Sequence, residues 1–328
     1  MSKSVIITGV TGQIGSGFAR FLLNEGHEVH GIIRRTSSFN TSRIDDVFSH
    51  PKLKLHYGDM TDGSVSNLIC DLKPDYFINQ AAMSHVAVSF DNPEYCFDVN
   101  ATGVIRCLEA IRRHSKHTRV LQASTSELYG DHVAPQNELT PFKPRSPYAV
   151  SKLAALASVV NYREAYNIFA ANSITFNTEG PARGATFLTR KVTLAAARIS
   201  LGLQKELRLG NLCSKRSWTH YEDQLDGQWL VLNADEPDDY CIGLEESHSI
   251  QEFVEIVFSK LNLDWKEFVI CDPRYFRPTE VDHLEPDCTK IRSKLGWKPK
   301  HTFQQLVDEM VKHDLDLARK EKILLDNK

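Results

Sequence analysis

The chain has no apolar run approaching the ~18 residues needed to cross a bilayer. Its start, Met1-Ser2-Lys3-Ser4 before Val5-Ile6-Ile7, carries too short an apolar stretch for a secretory leader. It lacks an excess of either charge. Its 39 Lys and Arg against 42 Asp and Glu leave a formal net charge of -3, which implies neither a nucleic-acid groove nor an anionic membrane surface. None of the seven cysteines, at 70, 96, 107, 213, 241, 271 and 288, lies in a CxxC pair, so they read as scattered thiols in a reducing compartment. The thirteen histidines form no HxH or HExxH arrangement, and no metal is expected. Low-complexity linkers, tandem repeats and long charge blocks are also missing. These absences leave a cytoplasmic protein of 328 residues, long enough for two lobes, with a small molecule as its partner.

What is present begins with a β-rich run, Val5 to Thr8, that ends at glycine and is followed by helical spacing of Ile14, Phe18, Phe21 and Leu22. Gly26 closes that helix and Glu28 to Ile33 starts a second strand, which completes a βαβ unit. Further strands are expected at Leu53 to Tyr57, Tyr76 to Ile78, Val120 to Ala123 and Ile168 to Ser173, with helices near 62–72, 94–114 and 148–166. The alternation predicts an α/β fold: a doubly wound parallel sheet of Rossmann type whose strand ends, at Thr8, Asn79, Ala123 and Ser173, face one crevice. Beyond about 174 the alternation fades, leaving helices near 189–202, 249–261 and 303–320. The expected organisation is a dinucleotide-binding domain over 1–175, with later segments returning to it, and a smaller α/β substrate-binding lobe over 176–328.

Gly9-Val10-Thr11-Gly12-Gln13-Ile14-Gly15 sits where a strand turns into a helix, and its glycines permit a tight turn and close approach to a pyrophosphate. The second strand then runs into Arg34 and Arg35, where NAD-selective folds carry an acid. Guanidinium groups pair well with a phosphate, so NADP is expected over NAD. Asp59, in Gly58-Asp59-Met60-Thr61-Asp62, ends the third strand within reach of an adenine amino group. Gln80-Ala81-Ala82 follows the fourth, where small side chains let a nicotinamide ribose come close.

Tyr148 and Lys152 stand four residues apart at a helix start, on one face. A free phenol ionises near pH ~10, so removing a hydroxyl proton at neutral pH needs a stabilised phenolate, and Lys152 is expected to supply that field. Upstream lies Ser124-Thr125-Ser126-Glu127-Leu128-Tyr129-Gly130, whose Glu127 adds a group able to move a proton on carbon.

These residues resemble the extended short-chain dehydrogenase/reductase family, and more closely the GDP-mannose 4,6-dehydratases, over nearly the whole chain. The likeness is carried by Gly9 to Gly15, Arg34 to Arg43, Ser84 to Phe90, Gln122 to Gly130, Pro144 to Lys152, Thr189 to Lys191 and Asp272 to Pro278. It implies a hydro-lyase that uses NADP to convert GDP-mannose to GDP-4-keto-6-deoxymannose. In that reading Thr125 binds the sugar 4-hydroxyl, Tyr148 is its base, Lys152 holds the nicotinamide ribose and Glu127 performs the elimination. The likeness places Arg35, Asp59, Ser84, Tyr95 and Arg183 at cofactor positions, with Gly9, Thr11, Gly12, Gln13, Ile14, Gly15, Met60, Gln80, Ala81, Ala82 and Thr178. It places Asn177, Lys191, Arg216, Arg277 and Glu280 near the nucleotide-sugar, with Ser84 again. It also implies a homodimer or homotetramer in which the loop from Arg35 to Arg43 reaches a neighbouring subunit.

The chain departs from the family pattern at Ile14, Met83, Thr178, Ala182, Ala185 and Ser217, where aspartate, glutamine, histidine, arginine, glutamate and aspartate are usual. Thr125, Glu127, Tyr148 and Lys152 are untouched, so the reaction type is better determined than the sugar, and a GDP-heptose or another GDP-hexose stays an alternative. A 4-epimerase or reductase would share Tyr148 and Lys152 but needs no carboxylate at 127. A non-catalytic NADP-binding protein would keep the fold without needing that pair.

Overall fold

A computed structural model describes residues 2–327. The first half of the chain comprises strands β1 (Ser4–Thr8), β2 (Glu28–Ile33), β3 (Leu53–Tyr57), β4 (Tyr76–Asn79), β5 (Arg119–Ala123) and β6 (Ala170–Thr175). Its helices are α1 (Gln13–Asn24), α2 (Ser64–Leu72), α3 (Val86–Asp91), α4 (Pro93–Phe97), α5 (Gly103–His114) and α6 (Pro147–Tyr166). The second half adds β7 (Asn177–Glu179), β8 (Leu207–Leu209), β9 (Lys215–Arg216), β10 (Trp218–His220), β11 (Asp239–Ile242), β12 (His248–Ser249), β13 (Val269–Cys271) and β14 (His283–Leu284). Its helices are α7 (Leu188–Ser200), α8 (Tyr221–Leu232), α9 (Ile250–Ser259), α10 (Thr289–Leu295) and α11 (Phe303–Asp326).

Seven strands form one sheet in the order β11-β6-β5-β4-β1-β2-β3, and every pairing is parallel. The central strands are apolar on both faces, because helices cover both: Val5, Ile7 and Ile78 pack with Phe18 and Leu22 of α1, while Ile6 and Phe77 pack with Ile69, Leu108 and Val159. The chain runs outward from β1 through β2 to β3, then returns to β1's other side with β4. That reversal opens a crevice at the carboxyl ends of β1 and β4. A buried polar chain lines its floor, in which Thr8 donates to Asn79 and Asn79 donates to Gln122 at 2.7 Å.

Several elements differ from expectation. β6 starts at Ala170 and ends at Thr175, two residues late, since Asn167 takes a left-handed turn (φ 52°) after α6. The expected helix over 94–114 is interrupted: α4 leads into a π-helical turn at Asp98–Thr102 before α5. The seventh strand, β11, was not foreseen. Its Asp239 accepts from Arg163 at 2.9 and 3.1 Å and from Asn172 at 2.8 Å, which fixes it beside β6. Helices α3, α8 and α10 were also unforeseen. Leu225, Val231 and Leu232 of α8 join the core of the large sheet.

The remaining helices build a second core, with Val192, Ala196, Trp218, Phe253, Phe303 and Met310 among its buried residues. Asp314 of α11, fully buried, accepts from Arg190 Nε at 2.6 and 2.9 Å and from Thr193 at 2.6 Å, which locks α11 to α7. A capping box between Thr302 and Gln305 starts α11. No helix among the described residues is long and apolar enough to cross a membrane.

Candidate active site

The turn after β1 is shaped for close approach. Gly9 has φ +65°, and a Cβ there would stand 2.9 Å from Ala81 N and from Gln80 C. A Cβ on Gly15 would lie 2.2 Å from Gly9 O, so α1 can pack against the turn only with glycine at that position. Gly12 heads α1 with no side-chain cap, which leaves the first helical N–H groups directed at the crevice. Gln13 Oε1 and Ser124 Oγ are buried there without hydrogen-bond partners among the described residues. A cradle that excludes Cβ atoms, an uncapped helix start and orphaned polar atoms together fit a dinucleotide.

At the end of β2, Arg34, Arg35, Tyr57, Asp59 and Ser64 border a cavity of about 440 Å³. Arg34 donates to Tyr95 OH at 3.0 Å, whereas Arg35 is exposed and has no ion-pair partner among the described residues. Asp59 Oδ1 already accepts from Thr61 N and Oγ1, each at 3.0 Å, so part of its carboxylate serves its own loop. The side chain of Met60 is buried in the core beneath α5 rather than turned to this cavity. Gln80 donates to Gln228, and Ala81 N donates to Thr8 Oγ1 at 3.1 Å. Ala82 is half-buried next in the loop, as are Thr11 and Ile14 in the first turn.

The larger cavity, about 590 Å³, lies between the sheet and the second core. Ser84, Thr125, Glu127 and Tyr148 line one side, and Asn177, Thr178 and Arg183 line the strip between the lobes. Lys191, Arg216, Arg277 and Glu280 line the far side. A volume of that size suits a small organic ligand.

Each catalytic candidate is held by local structure. Thr125 caps a short 3-10 turn, Ser126–Tyr129, by accepting from Glu127 N at 3.3 Å, which directs Glu127 into the cavity. Ser146 caps α6 by accepting from Ala149 N, and Pro147 at its first position has no N–H to lose. Tyr148 is therefore in the first turn, almost fully buried, and burial pushes its phenol up to about 12. The Thr125 hydroxyl and the Arg183 cation act in the opposite direction, and Glu127 adds to the rise. Burial pushes Lys152 down to about 8. Its Nζ donates to Ala123 O at 2.7 Å, and the cation that lowers the phenol in this arrangement is Arg183. The lysine thus faces the end of β5.

Lys191, Arg216 and Arg277 make the far side of the cavity basic. Arg216 is buried, and its guanidinium donates to the carbonyls of Lys215 and Val281, each at 2.8 Å. Lys191 Nζ donates to Arg208 O at 2.6 Å and lies 4.1 Å over the ring of Tyr275. Burial lowers both cations from their ordinary values. Arg277 Nη1 stands 3.7 Å from Glu127 Oε1, and Glu280 accepts from the Arg277 backbone at 2.9 Å.

Glu179 and Tyr275 are among the lining residues not singled out as site residues from the sequence. Glu179, buried in β7, bonds Thr189 and stands 3.2 Å from Arg183 Nε, without the alignment of a hydrogen bond. Burial raises that carboxyl. Tyr275 lies within the Asp272 to Pro278 segment, which was the available signal. His85 caps α3 through a 3.4 Å contact to Val88 N and packs near Phe187. Away from the cavity, the fold brings ligand atoms of His220, Glu222 and His301 within 4.8 Å, a cluster no linear motif reveals. Its rings are already engaged: His220 Nδ1 accepts from Glu222 N while Nε2 faces Glu309 at 2.8 Å.

A family profile described as GDP-mannose 4,6 dehydratase matches residues 6–310. GDP-mannose 4,6 dehydratase 2 of Arabidopsis thaliana is 50% identical, covering 99% of this chain and 90% of the plant protein. The Homo sapiens GDP-mannose 4,6 dehydratase is 47% identical over 96% and 92%, and the Vibrio cholerae protein of that name 46% over 99% and 97%. Among solved structures, dTDP-glucose 4,6-dehydratase of Bacillus anthracis in complex with NAD superposes with TM-score 0.83 at 25% identity, covering 95% of this chain and 96% of that one. The Thermus thermophilus UDP-glucose 4-epimerase complex with NAD gives 0.83 at 26% over 94% and 98%. The doubly wound sheet, the glycine turn and the Thr125, Glu127, Tyr148 and Lys152 set thus accompany full-length likeness, and the chain belongs to the GDP-mannose 4,6 dehydratase family.

Proposed function

We propose that this chain is a hydro-lyase that converts GDP-mannose to GDP-4-keto-6-deoxymannose with NADP as a resident cofactor. One observation carries the reading: Glu127, a carboxylate, lines the same cavity as Tyr148 and Thr125, where a redox enzyme without elimination needs none. Bound nicotinamide supplies what side chains cannot, uptake and return of a hydride within one turnover. Thr125 orients the sugar 4-hydroxyl, and Tyr148 takes its proton. Oxidation at carbon 4 acidifies the proton on carbon 5. Glu127 removes that proton and delivers one to the departing 6-hydroxyl, which leaves as water. Lys152, directed along the end of β5, holds the nicotinamide ribose. Gly9, Gly12 and Gly15 admit the pyrophosphate, with Thr11, Gln13, Ile14, Gln80, Ala81 and Ala82 around it. Asn177, Thr178, Arg183 and Ser84 bound the sugar and nicotinamide, Lys191, Arg216 and Arg277 hold the nucleotide diphosphate, and Glu280 stands near the nucleotide-sugar.

The preference for NADP rests on Arg34 and on the exposed Arg35, which has no ion-pair partner among the described residues, beside the smaller cavity. Arg35→Ala should weaken NADP by about 10- to 100-fold and leave NAD nearly unchanged. Equal weakening of both in a fluorescence titration would refute the role. In this scheme 1–175 with the returning β11 and α8 hold the cofactor, and 176–328 mainly hold the nucleotide-sugar. Seven free thiols support a cytoplasmic setting. Exposed Ile105, Val150 and Tyr166 on α5 and α6, with the exposed Phe39 loop, support a homodimer or homotetramer.

A second reading, the same chemistry on a GDP-heptose, draws on the short side chains of Thr178 and Ala185 in the cavity wall. Incubation with GDP-mannose and a GDP-heptose, read by mass loss of one water, separates the two. Product from neither sugar would sink both.

A further inference from the structure

The distal part of the cavity holds the guanidinium groups of Arg216 and Arg277 and the carboxylates of Glu127 and Glu280. Arg216 spends its donors on backbone carbonyls and has no ion pair among the described residues. Arg277 is anchored through its own N–H by Glu280, which fixes its backbone while its side chain, partly exposed, reaches Glu127. The 3.7 Å separation is an ion-pair contact too long for a hydrogen bond. Glu127 is only 11% exposed at its side chain, and its charge also acts on Arg216.

A diphosphate offers Arg277 and Arg216 two or more negative charges and bidentate acceptor geometry, which a single carboxylate at this distance does not match. Arg277 cannot serve both partners equally. Resting on the nucleotide-sugar reading above, we propose that Arg277 is a positioning residue that holds Glu127 in the free enzyme and releases it to the sugar when the substrate's diphosphate docks. In this scheme the carboxylate oxygen engaged by the guanidinium in the free enzyme is unavailable to the proton on carbon 5. Binding of the nucleotide half, remote from the reacting carbons, would thereby arm the proton-transfer group, an instance of remote binding contributing to the chemical step. The order protects the chemistry: elimination becomes possible only after the whole nucleotide-sugar is seated.

The test uses GDP and GMP, which differ by the β-phosphate and lack the sugar. Infrared difference spectra of the holoenzyme, with the Glu127→Gln protein subtracted, isolate the carboxylate stretch of Glu127. GDP should move that band from its guanidinium-paired position, and GMP at matched saturation should leave it in place. Arg277→Gln should show the released band before any nucleotide is added, and Arg277→Lys should restore part of the GDP response. If calorimetry shows GDP bound while the Glu127 band stays still, or if GMP moves it equally, the release is refuted though the nucleotide reading survives. If neither nucleotide binds, the nucleotide-sugar reading itself fails and the release falls with it.

Discussion

Replacing Lys152 by methionine should abolish turnover and stabilise the dinucleotide-free protein. Lys152 is 3% exposed, and burial holds its ammonium at about 8, well below the ordinary 10.5. At about 1.4 kcal/mol per unit, that gap is about 3 kcal/mol opposing folding when the lysine is charged. Its bond to Ala123 O recovers part of this, but that carbonyl also accepts from Gln122 Nε2 at 2.7 Å, so removing the lysine leaves no orphaned acceptor. A methionine of similar length fills the space, and the net gain near pH 7 should be about 1–3 kcal/mol. The pH dependence has a definite sign. Between about 8 and 10.5 the unfolded chain binds a proton that the folded one has lost, so wild-type stability from this group rises with pH across that window. Urea unfolding at pH 7.5 and 10, on both proteins, isolates the effect because other titrations cancel in the difference. The wild type should close most of its deficit at pH 10. A variant less stable than wild type at both values, with an unchanged gap, would refute the reasoning.

The same lysine sets a functional limit: if the ammonium binds ribose hydroxyls, NADP affinity should fall as pH rises through about 8 in wild type and stay flat in Lys152→Met, read by fluorescence quenching. Asp314→Asn should destabilise by about 3–5 kcal/mol, since Arg190 would be left buried beside a neutral amide, and the urea midpoint should fall at constant m. Gly9→Ala forces φ +65° on a residue with Cβ and drives that carbon to 2.9 Å from Ala81 N. Dinucleotide affinity should drop at least about tenfold and stability by about 1–3 kcal/mol; unchanged affinity in calorimetry would contradict the cradle.

Local patterns were legible and distant pairings were not. The strand-turn-helix at residues 4–24 was readable because its apolar run, glycines and helical spacing are contiguous. β11 escaped notice because four residues carry little periodicity and its anchor, Arg163, is 76 positions away. α8 hides for another reason: Asp223, Gln224 and Gln228 are buried with its apolar residues, so no clean apolar face marks it. The π-helical turn after α4 has no compositional signal. In the cavity, the types of residue needed for proton transfer were visible, but their electrostatics were not. The bond of Lys152 to Ala123 O and the pairing of Glu127 with Arg277 join segments 29 and 150 residues apart, which no spacing rule connects.

Glu127 remains the residue on which the water-loss assignment stands. The most direct measurement gives purified wild-type and Glu127→Gln proteins GDP-mannose and follows the sugar by mass spectrometry, NADPH by absorbance and the fold by circular dichroism. The wild type should lose one water per sugar with no net change in NADPH, and the glutamine variant should keep its fold yet form no 4-keto-6-deoxy product. Full dehydratase activity in the variant would contradict the account.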